Sequence, residues 1–482
     1  MLEFTNRKGN FMYKNTIWKN MKTISKSSYC NGLQCPKMLW LKTFMPEGAV
    51  IDSATQAKFD SGQEVGDLAK KYFGDYVEVE LDFDDRQNSI PHAVQQTQQL
   101  IADGKTHNIA EATFTTENTF CRVDILRVFP NGEVEIVEVK SATEVKEQYY
   151  DDVAFQYYVL TKCGYKVAKA SVMHINSKYV RQGEINVQQL FTLVNITDAV
   201  IEKQAEIEPN LERFIEISNQ KEEPEMEIGE QCEKPYLCAF QQHCWSETDF
   251  EERKKYFDDK CVKSKIQEFL DSLSYPLYFL DFETFQPVIP LYDNSRPYQQ
   301  IPFQYSLHIL DKKGGNLTHK EFLADNSLTD PRPAFAKQIV KDISKNACVV
   351  AYNTTFEKGR IAEMAEIFPE LSEHLMEIRA NMIDLMKPFR ISFGKHTGAF
   401  YCQEMQGSYS IKTVLPALCP DFATAYDELP LIRTGGEAME IFPAMHLETP
   451  EKQAEIRNGL LEYCKLDTLA MVKVLEKVYE LV

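Results

Sequence analysis

The chain has 482 residues, 44% of them hydrophobic and 26% charged, which is the balance of a globular protein with two or three domains. No apolar stretch is long enough to cross a bilayer and no secretory signal core is visible, so we expect a cytoplasmic protein without a membrane partner. The net charge of −19 disfavours a general phosphate binder. However, between Glu3 and Glu47 the chain has seven lysines and one arginine but no acid, so an acidic enzyme with a basic groove remains an alternative.

Composition divides the chain into five segments. The predicted segments are a basic tail at 1–20, a first domain at 21–217, an acidic loop with cysteines at 218–249, a helical linker at 250–274 and a second domain at 275–482. Both domains alternate strand-like and helix-like patterns, which predicts the α/β class.

In the first domain, helical spacing covers "DSATQAKFDSGQEVGDLAKKYF" and the stretch from Ser89 to Gly104. Three strands are predicted next, in "NIAEATFTT", "TFCRVDILRVF" and "EVEIVEVKS". The last two are joined by Pro130-Asn131-Gly132, a strong hairpin turn. A helix in "KEQYYDDVAFQYYVLTKCG", a strand in "KVAKASVMHI" and a long helix complete the predicted domain.

The predicted hairpin carries three charged residues with the chemistry of a metal site. Asp124 lies on its first strand, and Glu138 and Lys140 share one face of the second. Two acids beside a lysine suit phosphodiester hydrolysis, because the acids can hold a metal and the lysine can steady water or the charge developing on phosphorus. An ordinary cross-strand salt-bridge ladder is the alternative.

The string "DILRVFPNGEVEIVEVKS", followed by a helix that carries Gln156, resembles the core of PD-(D/E)XK nucleases of the RecB-like branch. The resemblance implies a restriction-endonuclease-like fold in which the two hairpin acids bind metal. The implied catalytic residues are Asp124, Glu138, Lys140 and Gln156. Glu111, on the preceding strand, is a further candidate ligand. The metal-binding histidine of this branch is absent from "SGQEVGDLA", where Glu64 could substitute.

Twelve cysteines in a cytoplasmic chain do not predict a disulfide framework. Cys232, Cys238 and Cys244 are evenly spaced in the acidic loop, and with a fourth thiolate they would complete a zinc site or an iron–sulfur cluster. The expected fourth ligand is Cys35, and the alternatives are Cys30 and His243. Cysteines within strand or helix patterns are predicted to be core residues, among them Cys121, Cys163 and Cys464.

One cysteine before the RecB-like core and three after it resembles the iron–sulfur nucleases, which include the CRISPR-associated RecB-like nucleases. In that family the cluster ties together the two ends of the nuclease domain. The resemblance implies an iron–sulfur cluster, expected to be 4Fe-4S, rather than zinc, although the spacing alone does not choose between them. The implied ligands are Cys35, Cys232, Cys238 and Cys244.

The second domain opens on "YFLDFETF", a buried strand pattern that contains two acids. Asp281 and Glu283 are two residues apart and therefore share a face. In "EIRNGLLEYCKLDTLAMVKVLEKVYEL", Asp467 falls on an otherwise apolar helical stripe, with Tyr463 one turn earlier. A strand, a turn and a helix in "CVVAYNTTFEKGRIAEMA" add Glu357. The alternative for Asp467 alone is a core residue satisfied by a helix cap or a salt bridge. The alternative for Glu357 alone is a residue that interacts favourably with the helix dipole.

In this order, Asp-x-Glu on a first strand, Asn-x-x-Phe-acid before a helix and Tyr-x-x-x-Asp on a last helix resemble the tyrosine-bearing branch of the DEDD exonucleases. The resemblance implies a ribonuclease-H-like fold, 3′–5′ exonuclease activity, two bound Mg²⁺ or Mn²⁺ ions and a water oriented by the tyrosine. The implied site residues are Asp281, Glu283, Glu357, Tyr463 and Asp467. That family has Asp at the position of Glu357, and this departure affects metal spacing and rate.

The complete layout, which includes "GSYSIKTVLPALCP", resembles a bacterial fusion family that joins a RecB-like nuclease domain to a DEDD-type exonuclease domain. We therefore expect a metal-dependent nuclease that acts on single-stranded or end-processed nucleic acid in repair, recombination or defence. DNA is the expected substrate rather than RNA. The alternatives are a nucleic-acid-binding scaffold with degenerate nuclease sites and an RNA-processing exonuclease.

Overall fold

The structure, a computed structural model, describes residues 23–482 except 51–52, 106, 247–248, 250–256 and 393–394. The predicted basic tail at 1–20 lies outside these residues. The chain divides into two compact units, the first ending at Trp245 and the second beginning at Ser246. Each unit is mixed α/β, which confirms the predicted class. No helix in the described parts of the chain is both long and apolar enough to cross a membrane.

The first unit is built on a seven-stranded sheet. Its strands are β1 (Ile24–Ser25), β2 (Val77–Glu78), β3 (Asn108–Thr115), β4 (Thr119–Val128), β5 (Val134–Lys140), β6 (Val167–Ile175) and β7 (Phe191–Asn195). The order is β2-β3-β4-β5-β6-β7, and β1 pairs with the start of β4. β4 and β5 form the predicted antiparallel hairpin, and Gly132 in its turn has φ 81°, a conformation that glycine adopts readily.

The first unit contains the helices predicted from the sequence together with several that were not predicted. The described helices are α1 (Lys26–Gln34), α2 (Pro36–Phe44), α3 (Ser53–Ala69), α4 (Arg86–Ala102), α5 (Glu147–Lys162), α6 (Val187–Leu190), α7 (Thr197–Glu202), α8 (Gln204–Asn219) and α9 (Gln241–Cys244). α5 buries Val153, Phe155 and Val159 in the core of this unit. This packing holds Gln156, which lies on the same helix and is itself fully buried, against the sheet.

The second unit contains a five-stranded sheet in the order β11-β10-β9-β12-β13. The strands of this unit are β8 (Lys260–Cys261), β9 (Leu277–Phe285), β10 (Ile301–Leu310), β11 (Leu317–Leu323), β12 (Cys348–Ala351), β13 (Met382–Asp384), β14 (Ile391–Ser392), β15 (Lys395–His396) and β16 (Phe400–Tyr401). β9, β10 and β11 are antiparallel, whereas β12 and β13 run parallel to β9. β9 is therefore central, which explains its nearly continuous apolar sequence.

Helices of the second unit flank this sheet, and two short ribbons, β8 with β16 and β14 with β15, stand apart from it. The helices are α10 (Lys263–Asp271), α11 (Arg332–Asp342), α12 (Thr355–Ile367), α13 (Ser372–Ala380), α14 (Ile411–Leu418), α15 (Gly435–Ala444) and α16 (Pro450–Glu480). α10 lies in the segment suggested as a linker, but its residues Ile266, Phe269 and Leu270 are buried in the core of this unit.

The last helix, α16, is fixed across the sheet by buried polar contacts. Gln304 Nε2 on β10 donates a 2.7 Å hydrogen bond to the carbonyl oxygen of Leu460. The Thr468 hydroxyl forms hydrogen bonds with Ser306 Oγ at 2.7 Å and His308 Nδ1 at 2.8 Å. Asp467 directly precedes Thr468 and is buried on the predicted apolar stripe. The helix thus presents its acid on the side that faces the sheet.

Candidate active sites

In the second unit, the acids predicted from three separate motifs lie around one cavity of about 300 Å³. β9 contributes Asp281 and Glu283, and the first turn of α12 contributes Glu357. α16 contributes Tyr463 and Asp467. The fold therefore brings together all five residues that the sequence assigned to this site.

These carboxylates are withdrawn from water without forming salt bridges to any described residue. Glu283, Glu357 and Asp467 are 7%, 3% and 7% exposed, and the Glu357 Oε2 atom has no hydrogen-bond partner. Burial raises the pKa of Glu357 to about 8 and that of Asp467 to about 6. Burial and the charges of Asp467 and Glu283 raise the pKa of Asp281 well above its usual range. The site has an excess of negative charge.

Two further side chains contact this group, and the sequence analysis missed both. The Tyr426 hydroxyl donates a 2.6 Å hydrogen bond to Asp467 Oδ1. Lys412, at the start of α14, lines the cavity, and its Nζ atom lies 4.8 Å from the ring centroid of Tyr426 and 5.0 Å from that of Tyr463. Its charge acts against the larger effect of burial and so moderates the raised pKa values of Glu283 and Asp467. Lys412 is therefore a cation of this site.

The turn that aims Glu357 into the cavity is held by Asp384, at the end of β13. Asn353, between β12 and α12, has φ 67° and so lies in the left-handed region. Asp384 Oδ1 accepts hydrogen bonds of 3.0 Å from the backbone N–H groups of Asn353 and Met386. The predicted Asn-x-x-Phe turn is thus fixed by the neighbouring strand, a role for Asp384 that the sequence did not reveal.

The donors of this site fit a divalent cation. Several carboxylate oxygens converge on one cavity, and one of them, on Glu357, has no partner. Oxygen donors of this type suit Mg²⁺ or Mn²⁺. Cys464 adds a thiol whose Sγ atom lies 3.7 Å from Asp281 Oδ2, and ligand atoms of these two residues and Glu283 lie within 4.8 Å of one another. Cys464 is fully buried, as predicted for a core cysteine.

In the first unit, cationic and amide groups surround the hairpin acids. Glu138 is 1% exposed and accepts hydrogen bonds from Lys140 Nζ at 2.9 Å and from Gln156 Nε2 at 2.6 Å. Asp124 Oδ2 accepts a 2.7 Å hydrogen bond from the backbone N–H of Val139, which sets the two acids side by side across the hairpin. The fold thus also brings together the four residues that the sequence assigned to this site.

Lys26 and Asp152 complete this second cluster, and neither was identified from the sequence. Lys26 Nζ donates a 2.6 Å hydrogen bond to Glu138 Oε1, and Lys140 also bonds to Asp152. Burial opposes ionisation of Glu138, but Lys140 and Lys26 outweigh it and lower the pKa of Glu138 to about 2. Burial and the charge of Glu138 raise the pKa of Asp124 to about 7. This cluster contains its own positive charge.

The two further acids suggested for the first unit differ in position. Glu111, on β3, contributes to the raised pKa of Asp124 after the larger effects of burial and Glu138, and its Oε2 atom lies 3.3 Å from Arg122 Nε. Glu64 is exposed on α3, and it is not among the main charges that shift the pKa of Asp124 or Glu138. Glu111 is therefore the better placed of the two as an additional ligand.

The cysteines assigned to a cofactor line one small, largely apolar cavity of the first unit. They are Cys35, Cys232, Cys238 and Cys244. Burial raises the pKa of the Cys238 thiol, and the nearby Cys35 and Cys232 raise it further. A bound cation would reverse this effect, because thiolates are the form that binds metal. The donor set fits either a cluster or zinc.

The alternative ligands bond to carboxylates instead. Cys30 Sγ donates to Asp152 Oδ1 at 2.9 Å, and His243 Nε2 lies 3.1 Å from Glu223 Oε2. Tetrahedral zinc with Zn–S bonds of about 2.3 Å requires sulfur atoms about 3.8 Å apart. No three of the four cysteine sulfurs, all in described residues, lie within 4.8 Å of one another. The sulfurs are therefore more widely spaced than a single tetrahedral zinc ion requires.

One cysteine prediction was wrong. Cys121 is buried, as expected for the core of the first unit, but Cys163 is exposed. Cys163 is the residue that follows the last turn of α5, before the turn that leads into β6. The helical pattern placed it correctly along the chain but did not reveal that the helix ends at the surface.

The chain is similar to a family and to proteins whose descriptions state no activity. Residues 278–410 match a domain of unknown function, DUF2779. The uncharacterized protein UU173 of Ureaplasma parvum is 33% identical over 177 residues, which are 35% of this chain and 25% of that protein. The uncharacterized protein MG366 of Mycoplasma genitalium is 28% identical over 238 residues, 46% of this chain and 34% of that protein. Its Mycoplasma pneumoniae homologue is 28% identical over 229 residues, 44% and 33% of the two chains.

The chain thus spans a quarter to about a third of the length of these relatives. The matched domain includes Asp281, Glu283 and Glu357, and it ends two residues before Lys412. The similarity therefore covers the strand and the helix turn that carry three of the four acids of the cavity.

Proposed function

We propose that this chain is a metal-dependent nuclease that hydrolyses phosphodiester bonds, with one hydrolytic site in each unit. The observation that carries the proposal is the cavity of the second unit. Four carboxylates from one strand and two helices converge there, three of them buried, and one carboxylate oxygen has no partner. Divalent cations would relieve this excess of negative charge and would at the same time attract a phosphate group.

The finer fold assignments are part of the proposal. We assign the second unit to the ribonuclease-H-like fold of DEDD-type exonucleases, which is supported by three antiparallel strands followed by two parallel ones, with the acids on the central strand. We assign the first unit to the PD-(D/E)XK fold of RecB-like nucleases, which is supported by the β4–β5 hairpin, the following helix α5 and the parallel strand β6.

In the second unit, Asp281, Glu283 and Asp467 would hold Mg²⁺ or Mn²⁺, with Glu357 assisting. Ions bound in this way supply Lewis-acid stabilisation to the attacking and leaving oxygens. Burial raises the pKa of Tyr463, so its hydroxyl stays protonated and can hold and orient the attacking water. The expected reaction is removal of nucleotides from 3′ ends.

Lys412 would act as a positioning residue in the same reaction. Its Nζ atom donates a 2.6 Å hydrogen bond to the carbonyl oxygen of Arg433, which fixes the ammonium group beside the acids. From there it packs against the ring of Tyr463 and offsets part of the negative charge. Asp384 has a comparable supporting role, since it holds the turn before Glu357.

In the first unit, Asp124 and Glu138 would hold a metal ion, and Gln156 would keep the Glu138 carboxylate in place through its 2.6 Å hydrogen bond. Lys140 is positioned to steady the water or the phosphate. However, Lys26 and Lys140 bond to the same oxygen, Glu138 Oε1. A metal ion at this oxygen must therefore displace an ammonium group.

That requirement favours a second candidate function, in which the first unit is a degenerate nuclease that binds nucleic acid without cleaving it. The absence of the family histidine and the satisfied state of Glu138 both support this candidate for the first unit alone. The second unit is not affected by it, because its acids have no comparable partners among the described residues. We propose DNA as the substrate rather than RNA, with a role in repair, recombination or defence.

The activity is tested by incubating the full chain with end-labelled DNA and RNA oligonucleotides in Mg²⁺, Mn²⁺ or EDTA. A metal-dependent ladder of products shortened from the 3′ end supports the proposal, and the preferred nucleic acid identifies the substrate. If the substrate stays intact with every metal but still binds, the protein is a nucleic-acid-binding scaffold and the nuclease proposal is wrong. Cleavage of RNA alone would favour the RNA-processing alternative.

We also propose that Cys35, Cys232, Cys238 and Cys244 bind an iron–sulfur cluster, expected to be 4Fe-4S. Protein purified without oxygen should be brown, with charge-transfer absorption in the visible range. Cys238→Ser should remove the colour and destabilise the first unit, whereas Cys163→Ser, at an exposed cysteine, should change neither. Colourless protein with one zinc ion per chain would show that the same site binds zinc and not a cluster.

A further inference from the structure

A large cavity of the first unit, of about 610 Å³, has no role in the function proposed above. It combines hydroxyl groups, aromatic rings and one guanidinium group. Its lining includes Ser25, Ser27, Ser28, Phe83, Arg86 and Phe120. We call it the serine–phenylalanine cavity.

Strand β4 connects the serine–phenylalanine cavity to the hairpin acids. Phe120, Arg122 and Asp124 alternate along β4 and therefore lie on one face of the sheet. At about 3.3 Å per residue, Phe120 and Asp124 are roughly 13 Å apart along the strand, a distance that a short piece of extended nucleic acid can span. Ser25 on β1 pairs with Phe120 on β4, and Ser25 and Ser27 flank Lys26, which bonds to Glu138.

Phe83 gives the cavity a stacking surface. Its side chain is 54% exposed, which is unusual for a large aromatic ring. The guanidinium carbon of Arg86 lies 5.3 Å from the ring centroid, and that of Arg122 lies 5.4 Å from it. Aromatic rings and arginine side chains are the groups on which unpaired nucleobases stack, and stacking of this kind depends little on base identity.

The serine side of the cavity suits a phosphate group. Ser25 Oγ accepts a 3.1 Å hydrogen bond from the backbone N–H of Ser28 and so caps α1, a helix of nine residues with no acid in its first turn. The hydroxyl groups of Ser27 and Ser28 lie 3.1 Å and 2.9 Å from Ser25 Oγ. Hydroxyl groups and a helix N-terminus are common ligands of nucleic acid phosphates.

Acidic residues next to Phe83 do not oppose this assignment, because none of them lines the cavity. Asp82 Oδ1 accepts hydrogen bonds from the backbone N–H groups of Asp84 and Asp85, and Asp85 accepts from Asn88 Nδ2. These acids are engaged in the turn that leads into α4. Within the described lining, the charged side chain is Arg86.

We propose that the serine–phenylalanine cavity binds one nucleotide of single-stranded nucleic acid, with its base on Phe83 and its phosphate at the serine side. The proposal rests on the nuclease function of the first unit and specifies its substrate as an unpaired strand. A base inside a duplex is already stacked and paired, so it cannot enter such a cavity without being extruded. The bound nucleotide would lead the strand along β4 toward Asp124.

The test measures binding of fluorescent oligonucleotides to the full chain in EDTA, so that no cleavage occurs. The probes are a single-stranded DNA, a single-stranded RNA and a blunt DNA duplex. Phe83→Ala should weaken single-strand binding about tenfold, while Phe83→Tyr, which keeps the ring, should retain it. The matched control is Phe129→Ala, which removes a ring paired with Arg127 at the other end of β4 and should leave the affinity within twofold.

A tryptophan at the same position reports contact directly. Fluorescence of Phe83→Trp should be quenched when single strands bind, and not when the duplex binds. Unchanged affinity in Phe83→Ala, or equal weakening by Phe129→Ala, would overturn the inference while leaving nuclease activity in place. A wild-type chain that neither binds nor cleaves any oligonucleotide would overturn the proposed function as well. The preferred single strand, DNA or RNA, identifies the source of the nucleotide.

Discussion

In the first unit, Glu138 is bonded by Lys26, Lys140 and Gln156, whereas in the second unit no described residue forms a salt bridge with the four acids of the cavity. The two environments shift the pKa of these acids in opposite directions. The pKa of Glu138 is lowered to about 2, while that of Glu357 is raised to about 8. The first cluster is neutralised by the chain itself, and the second needs a cation that the chain does not supply in full.

This difference has a consequence for metal binding. In the first unit a metal ion must compete with ammonium groups that are already bonded to the acid it would bind. In the second unit a metal ion relieves repulsion that is present without it, and Lys412 and Arg360 offset only part of the charge, Lys412 at Glu283 and Arg360 at Glu357. We therefore expect the second unit to bind metal more tightly and to be stabilised more by it.

The largest expected effect is that of Asp281→Asn. Removal of nucleotides from 3′ ends should fall about 1000-fold, because the substitution removes an acid that would hold metal in the proposed mechanism. In metal-free buffer the same variant should unfold at a higher temperature than the wild type, since it relieves repulsion among buried acids.

The matched control for this prediction is Asp342→Asn. Asp342 is a buried acid of the same unit, but it accepts hydrogen bonds from Tyr305 and Lys320. Its substitution should lower stability and leave the cleavage rate nearly unchanged. Equal activity of Asp281→Asn and the wild type would remove the basis for the two-metal proposal.

The second prediction separates the two units by their response to Mn²⁺. Residues 246–482 contain no tryptophan, so tryptophan fluorescence reports unfolding of the first unit, and calorimetry reports both. At a Mn²⁺ concentration of about 100 times Kd, the transition of the second unit should rise by roughly 5–10 °C. The transition seen by fluorescence should move less.

Lys26→Met sharpens this comparison. Removing this ammonium leaves Glu138 with one lysine instead of two, so Mn²⁺ should now stabilise the first unit more than it does in the wild type. If Lys26→Met leaves the metal response of the first unit unchanged, competition by Lys26 is not what distinguishes the two sites. The matched control is Lys42→Met, which makes the same substitution on α2. Lys22 is not used as a control because it lies outside the described residues.

The sequence identified both acid clusters because each obeys a local rule. Asp281 and Glu283 follow strand alternation, and Asp467 interrupts an apolar helical stripe. Lys26 and Lys412 follow no such rule. Lys26 lies 112 residues from Glu138 in the chain, and the two residues meet only because the fold brings α1 to the β4–β5 hairpin. A lysine that belongs to a site is not distinguishable in sequence from a solvated one.

The fold itself was predictable where a turn or cap marked its elements. The hairpin turn at Gly132 and the long helix that carries Asp467 both appeared in the positions expected. The turn before α12 shows the limit. Asn353 was recognised from the sequence as a motif residue. Its backbone hydrogen bond to Asp384 depends on β13 lying next to β12, and local sequence patterns do not predict the order of strands in a sheet.

The third prediction concerns pH. The folded pKa of Glu357, about 8, exceeds its ordinary value, so the unfolded chain releases this proton more readily. The stability that neutral Glu357 contributes is fully present below about pH 4.5 and is lost as pH rises toward 8. In EDTA, the unfolding temperature of the second unit should therefore fall between pH 5 and pH 8.

Glu357→Gln should flatten that dependence, because the amide does not ionise. Glu138 of the first unit provides the contrast, since its lowered pKa contributes stability that is present above about pH 4.5 and is lost as pH falls toward 2, whereas Asp124, with a pKa raised to about 7, has the same sign as Glu357. A second-unit transition that does not vary between pH 5 and pH 8 in the metal-free wild type would contradict the raised pKa of Glu357.

The smallest expected effect is that of Lys412→Gln, which should slow removal of 3′ nucleotides about tenfold. Loss of the ammonium group frees the Tyr463 ring on one side and removes a positive charge that competes with metal for Glu283 and Asp467. The variant should therefore bind Mn²⁺ more tightly while turning over more slowly. Tyr463→Phe should show a similar loss of rate with unchanged Mn²⁺ affinity, because it removes only the hydroxyl that orients water. Titration with Mn²⁺ and single-turnover rates on one labelled oligonucleotide distinguish the two variants, and weaker Mn²⁺ binding in Lys412→Gln would mean that the lysine organises the acids rather than opposing the metal.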